Sequence, residues 1–301
     1  MNKYILRILQ SIISLSVIAW LFSYVGTSNI YENLLKISLP ALLLFIITYP
    51  LSWFFAAVNA WFILSPLDIK IKFWELFRIR SVSWCLGQLL PGRVGEFSLV
   101  YFLKKQNIPT GVCAVLFVLD NLLTLFTLLL ISIVGFFSFF SVLQSLQMVA
   151  ISLIILLFIM VFIFTKFGRG LITKYLLHKY AIFFKGFSTT LFLFFRKHYM
   201  FILLNLLVSF LKWTILAYLY YLLIILFGGE VGFYPVFLIT SMSVLVSLVP
   251  ISLSGLGIRE SLAIYLYGLL GVDTAVIMAI QVIYLIFSYL FAAMAVFMHK
   301  K

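Results

Sequence analysis

Carboxylates are scarce in this chain, with eight Asp and Glu among 301 residues. So few leave little from which to assemble a general acid/base pair. Histidine occurs three times (His178, His198, His299), in basic sequence and without ligand spacing. The two cysteines, Cys85 and Cys113, lie in or beside apolar stretches, so neither a disulfide framework nor a metal site is expected. Also absent are an Asp-x-Asp pair for a nucleotide-sugar metal, His-Glu-x-x-His, Gly-x-Ser-x-Gly and a phosphate loop. These absences lead us to expect no cofactor, no metal and no enzymatic activity. Charge of either sign is thin, at 10% of positions against roughly 25% in soluble domains.

What is present is hydrocarbon. Hydrophobic residues fill 65% of positions, more than a soluble chain could hide, and the fold class expected is an all-α polytopic membrane protein. The net charge of +13 does not point to nucleic acid, because Lys and Arg flank apolar spans instead of gathering on a folded basic face. A helix needs roughly 20 apolar residues to cross a ~30 Å hydrocarbon core. Six segments qualify, about 4–25, 38–64, 111–140, 146–165, 199–227 and 272–298. The first lacks a small-residue cleavage site and is read as a retained helix. Two more apolar regions, 81–103 and 234–270, are interrupted by Pro/Gly motifs. The pieces 81–90 and 94–103 would each span about 15 Å as helix, half a bilayer, so 81–103 is read as a re-entrant hairpin. The region 234–270 has longer arms, and either a re-entrant or a crossing path fits it.

Charge placement tests this count. With Lys3 and Arg7 on the cytoplasmic side and both broken regions returning to their side of origin, all but Lys36, Arg93, Lys212 and Arg259 of the 21 Lys and Arg fall inside. Both termini are then cytoplasmic, in the inner membrane. Residues 1–140 and 145–301 repeat one order of elements in opposite orientation, a 3+3 inverted repeat within a single transmembrane domain.

Each repeat carries a polar centre at its break. Pro91, Gly92, Arg93, Gly95 and Glu96 form one; Pro250, Gly255, Gly257, Arg259 and Glu260 form the other. Tyr101 follows Glu96 by five residues, as Tyr265 follows Glu260. Ionisable groups at membrane depth are costly and mark function by default. One reading makes the two hairpin tips facing anion sites, with helix N-termini and guanidinium groups on a lipid phosphate and the glycines letting backbone approach it. The other pairs each Arg with its Glu, while the Glu caps the helix start from the third position. Lys212 and Asp120, deep in spans, either line the path or pair with each other or with Glu96. Asn59, Asn121, Asn205 and Gln281 read as interhelical hydrogen-bond glue. The loop 166–198 places Lys174, His178, Lys185, Thr189 and Arg196 on one side of a helical wheel, as in a helix lying on the anionic lipids of the cytoplasmic leaflet.

The run from Leu90 through Glu96 to Tyr101, with Pro250, Gly255 to Glu260 and the following Gly271 and Val272, resembles the lysylphosphatidylglycerol synthase/flippase transmembrane family. The resemblance covers nearly the whole chain. It implies a flippase-like membrane domain that moves aminoacylated or glycosylated lipids, and it maps the family's charged motif residues onto Arg93, Glu96, Arg259 and Glu260. Some members join this part to a cytosolic aminoacyl-transferase. No such segment is present here, so synthase activity is not expected, and a separate lipid-modifying transferase is the expected partner besides the phosphate-bearing lipid itself. Two rival functions remain: a non-transporting subunit of an envelope lipid or polysaccharide complex, and a lipid-modifying transferase. The topology has a direct test. Single cysteines at Ser28 and Gly229 are expected to react with an impermeant maleimide from outside, and those at Gln106 and Thr173 from inside; external reaction at 106 or 173 contradicts it.

Overall fold

The computed structural model describes residues 3–67, 69–89, 95–165, 170, 186–248 and 255–299. Among these the chain is all-helical. Helices α1 (Lys3–Val25), α2 (Thr27–Leu35) and α3 (Leu39–Leu64) lead to a first broken element, α4 (Phe73–Leu89) and α5 (Ser98–Lys105), and then to α6 (Thr110–Phe139). Next come α7 (Val142–Phe164), α8 (Phe187–Lys197), α9 (Tyr199–Leu226), a second broken element α10 (Phe233–Ser247) and α11 (Ile258–Leu269), and α12 (Thr274–His299). Five of the described helices, over 39–67, 110–139, 142–164, 199–226 and 274–294, are long and apolar enough to cross a membrane. They match five of the six expected spans within a few residues; the sixth corresponds to the 23-residue α1.

Local chemistry sets the boundaries. Ser38 caps α3 by accepting from the Ala41 amide at 3.4 Å, with Pro40 in the first turn. Ser141 and Gln144 form a reciprocal capping box at the start of α7. Within the spans, Thr48, Ser81, Thr127 and Ser241 donate to the carbonyl four residues back, so these hydroxyls are satisfied by their own helix.

The first break differs from its expected form. Helix α4 begins at Phe73 and runs 17 residues, about 25 Å, not the ten residues from 81. Leu76 and Ile79 are buried at helical spacing, so the basic stretch 78–80 continues the helix instead of bounding it. The arm α5 has 8 residues, about 12 Å. The arms of the second break, 15 and 12 residues, reach about 22 and 18 Å. None of the four arms alone covers a bilayer core.

Packing is reciprocal between the two halves. The most extensive helix pair is α3 with α9; next come α4 with α12 and α6 with α10. Helix α2 lies on α12, and α8 lies on α6. Contacts of Phe62 with Phe201, and of Asn59 with Asn205 and Ser209, show α3 and α9 running antiparallel. Two large apolar clusters result, beside a smaller one of Tyr49, Trp53, Val82, Cys85 and Ala292. One gathers Leu116, Leu119, Leu99, Leu103 and Leu64 with Phe187, Leu191 and Phe194 of α8. The other gathers Leu21, Ile30, Phe45, Ile264, Ile277 and Ile280. Helix α8 therefore seats an apolar stripe on protein, while Thr189 and Arg196 of the expected lipid-facing side stay exposed. Lys174, His178 and Lys185 of that loop lie outside the described residues. Helix α7 buries only Ser145 among its residues, leaving Ile151, Ile154, Leu157 and Phe158 exposed; such a face requires lipid around it.

Candidate functional site

Inside the bundle lies a cavity of about 290 Å³, walled by α3, α4, α6, α9, α10, α11 and α12. Four sequence-predicted residues meet on its wall: Glu96, Asp120, Lys212 and Arg259. They come from both halves of the chain. Pro91, Gly92 and Arg93 lie outside the described residues, so their predicted contacts are not addressed.

At the second break, Glu260 accepts from the backbone N–H of Gly257 at 2.8 Å and from Nε of Arg259 at 3.0 Å. The carboxylate caps α11 and neutralises the arginine, as the structural reading of the motif anticipates. Glu260 is buried, whereas the Arg259 side chain keeps 31% of its surface accessible and lines the cavity. The glycines have packing work. Gly257 has φ +87° and a Cβ there would meet Val17 of α1 at 2.8 Å; Gly255, at φ +80°, abuts Ser247. A side chain on Gly95 would overlap the Leu86 carbonyl, because the arms of the first hairpin cross there. At Gly95, Gly255 and Gly257 the space a Cβ would take is thus already occupied by protein.

The partner of Asp120 is Arg80, in an ion pair and hydrogen bond that buries the carboxylate and half-buries the guanidinium. Neither Lys212 nor Glu96, the expected alternatives, takes this place. Arg80 was sorted with the cytoplasmic charges, but the extra length of α4 carries it to the cavity wall. Lys212 sits over the Trp213 ring, its Nζ 4.7 Å from the centroid, an arrangement that stabilises a poorly solvated cation. Asn59 donates to Ser209 at 2.9 Å, Asn205 to the Asn59 carbonyl at 3.0 Å and Gln281 to the Tyr220 hydroxyl at 3.0 Å. These three are interhelical bonds, as expected. Asn121 instead donates within its own helix, to Phe117.

Composition-led reasoning missed the aromatic wall. Tyr49 packs against Trp53 and Trp84, and Tyr220 against Tyr267 and Tyr284, all at the cavity. The Tyr49 hydroxyl donates to the Tyr284 carbonyl at 2.6 Å. A signal existed: Thr240, Ser243 and Ser247 recur at helical spacing on α10, as do Asp120 and Thr124 on α6. A polar stripe on an otherwise apolar span faces a cavity or a neighbouring helix.

The profile of the family described as lysylphosphatidylglycerol synthase TM region matches residues 7–295. The chain belongs to this family. No curated protein matches it. The family's membrane region here encloses a polar cavity at the meeting of two broken helical elements, and the ion pairs hold its charged walls. Arg80→Ala is expected to destabilise the protein by about 3–5 kcal/mol, because it strands the Asp120 carboxylate. The double change Arg80→Ala/Asp120→Ala is expected to recover most of that loss. Equal melting temperatures for wild type and Arg80→Ala in detergent would contradict the pairing.

Proposed function

We propose that this protein is a lipid translocase of the cytoplasmic membrane, not an enzyme. It carries the head of an aminoacylated or glycosylated phosphate-bearing lipid through the central cavity while the acyl chains stay in the bilayer. The observation that carries this reading is the cavity itself: a charged, hydroxyl-rich chamber inside a bundle whose outer faces are hydrocarbon. Polar surface at membrane depth is expensive, and a translocated headgroup gives it a use.

The packing supports the inverted repeat. Exchanging α3 with α9, α4 with α10 and α6 with α12 maps each principal contact onto another: α3–α9 onto itself, and α4–α12 onto α6–α10. The α2–α12 and α8–α6 contacts exchange likewise. The antiparallel run of α3 and α9 is what an inverted arrangement of 1–140 and 145–301 requires. Rocking one half against the other about the α3–α9 seam opens the cavity to the two leaflets in turn. Arg259, held by Glu260 but facing the cavity, and Lys212 are the residues assigned to the lipid phosphate, with Arg93 as the counterpart at the first break. Net flux then follows a gradient or removal of product, for instance by a transferase working on one face.

Reconstituted into liposomes, the protein is expected to speed exchange of labelled phospholipid or polyprenyl-linked sugar between leaflets. Arg259→Ala/Glu260→Gln keeps an acceptor for the Gly257 amide and removes both charges. It is expected to fold and to lose exchange by tenfold or more. Exchange no faster than in empty liposomes, across both lipid classes, overturns the reading in favour of a non-transporting subunit. Full activity of the folded double variant removes Arg259 from the mechanism.

A further inference from the structure

A second hollow, of about 400 Å³, lies on the outer side of the bundle where α6, α9 and α10 meet. Thr127, Ile131 and Leu238 are buried and form its floor, and Leu130, Val134, Phe210 and Tyr234 stand exposed around it. The four α6 residues recur at helical spacing, on one face of that helix. The floor is closed by direct helix contact: a Cβ on Gly135 would run into Met242 and lie 3.6 Å from Leu238. Phe210 meets Phe237 edge-on, ring centroids 5.8 Å apart, which joins α9 to α10. Among the described residues no charged side chain lines the hollow. The Thr127 hydroxyl donates to the Leu123 carbonyl of its own helix at 2.9 Å. A guest here needs hydrocarbon and no hydrogen-bonding group.

The width decides between guests. Thr127 and Val134 lie ~10 Å apart along α6. Spread over that length, about 400 Å³ is a slot of ~40 Å² in section, and a helix with its side chains, ~10 Å across, has roughly twice that. A helix of a second copy would rest on the exposed residues and leave the floor empty, whereas a flexible chain follows it. Position supplies the rest, because the same three helices wall the central cavity. On each, apolar lining gives way to polar lining within one turn: Thr127 to Thr124 on α6, Phe210 to Lys212 on α9 and Phe237 to Thr240 on α10. We propose that the hollow binds one acyl chain of the lipid whose phosphate-bearing head occupies the cavity. This rests on the translocase reading for the head and extends recognition to the tail. The chain stays on the bilayer side of the protein but in a fixed place, and the lipid's other chain remains among bulk lipid.

The test is photo-crosslinking of the full chain in phosphatidylcholine nanodiscs holding a few mole per cent of a phosphatidic acid with a diazirine midway along one acyl chain. Adducts are mapped by peptide mass spectrometry, with the exposed α7 residues Ile151, Ile154, Leu157 and Phe158 as the reference for unselective lipid contact. Adducts on 127–134, 206–210 and 234–238 are expected to exceed those on α7 by about fivefold or more. Unlabelled phosphatidic acid, replacing part of the phosphatidylcholine, is expected to suppress them and to leave the α7 adducts unchanged. Equal labelling of hollow and α7, or labelling that the competitor leaves intact, overturns the inference. Oleic acid competing as well as phosphatidic acid keeps a chain site and overturns its link to a head in the cavity. Val134→Trp and Leu130→Trp fill the slot from exposed positions. Each is expected to cut the adducts in the hollow by about fivefold while Tm and the α7 adducts hold. Full labelling of the hollow in both variants overturns the assignment. A disulfide between two copies carrying Val134→Cys, with Cys85 and Cys113 replaced by alanine, would put protein on the hollow and overturn it too. Labelling is read without transport, so saturable adducts without leaflet exchange defeat only the translocase, and exchange without them defeats only this inference.

Discussion

Everything here depends on how charge is kept inside an apolar bundle. Hydrocarbon offers neither counter-ions nor water, so each interior carboxylate must find its compensation within the protein. Asp120 is held by Arg80 and Glu260 by Arg259. The second pair sits at a helix start, where Glu260 also takes the Gly257 amide. That arrangement needs a helix that begins inside the bundle, and the break between α10 and α11 supplies one. Breaking helices frees backbone groups, and these are tolerated at membrane depth only where protein or a cavity surrounds them. Buried charge, broken helices and central cavity are therefore consequences of one another.

Packing around the cavity-lining helices is tight. Apolar clusters close around Leu116 and Leu119 of α6 and around Ile277 and Ile280 of α12. Close approaches at Gly95 and Gly257 let hairpin arms and α1 pack without intervening side chains. Bonds from Asn205 to Asn59 and from Asn59 to Ser209 tie the antiparallel seam between α3 and α9. A seam with a few directed bonds, flanked by apolar contacts, is the kind of interface over which two halves can slide or rock as units.

Much of this was legible in the residues. The spans follow from hydropathy, since lipid tolerates helices but not exposed strand edges. The breaks follow from Pro91, Gly95, Gly255 and Gly257, and the site candidates Glu96, Asp120, Lys212 and Arg259 from the rarity of charge in apolar sequence. Arg80 was not found, because a basic residue near Lys70, Lys72 and Arg78 reads as a flank. Only the tertiary position of α4 against α6 distinguishes it. The aromatic wall escaped for a similar reason. In a chain with 33 Phe and 16 Tyr, a ring on a span carries no signal until its neighbours are known. The short α8 carries basic residues in its last turn and so resembles a surface helix, although Leu191 and Phe194 are fully buried against protein.

The central claim is that one cavity between two inverted halves opens to both leaflets in turn. Ser52 lies on its wall and is only half-buried, so Ser52→Cys places a reachable thiol there at little structural cost. Cys85 and Cys113 are fully buried and can be replaced by alanine to remove background. With this single cysteine in sealed vesicles of known orientation, an impermeant, small thiol reagent is applied from one side or the other. The account predicts reaction from both sides, with protection from each by bound substrate lipid. Reaction from one side only, or from neither, would contradict it.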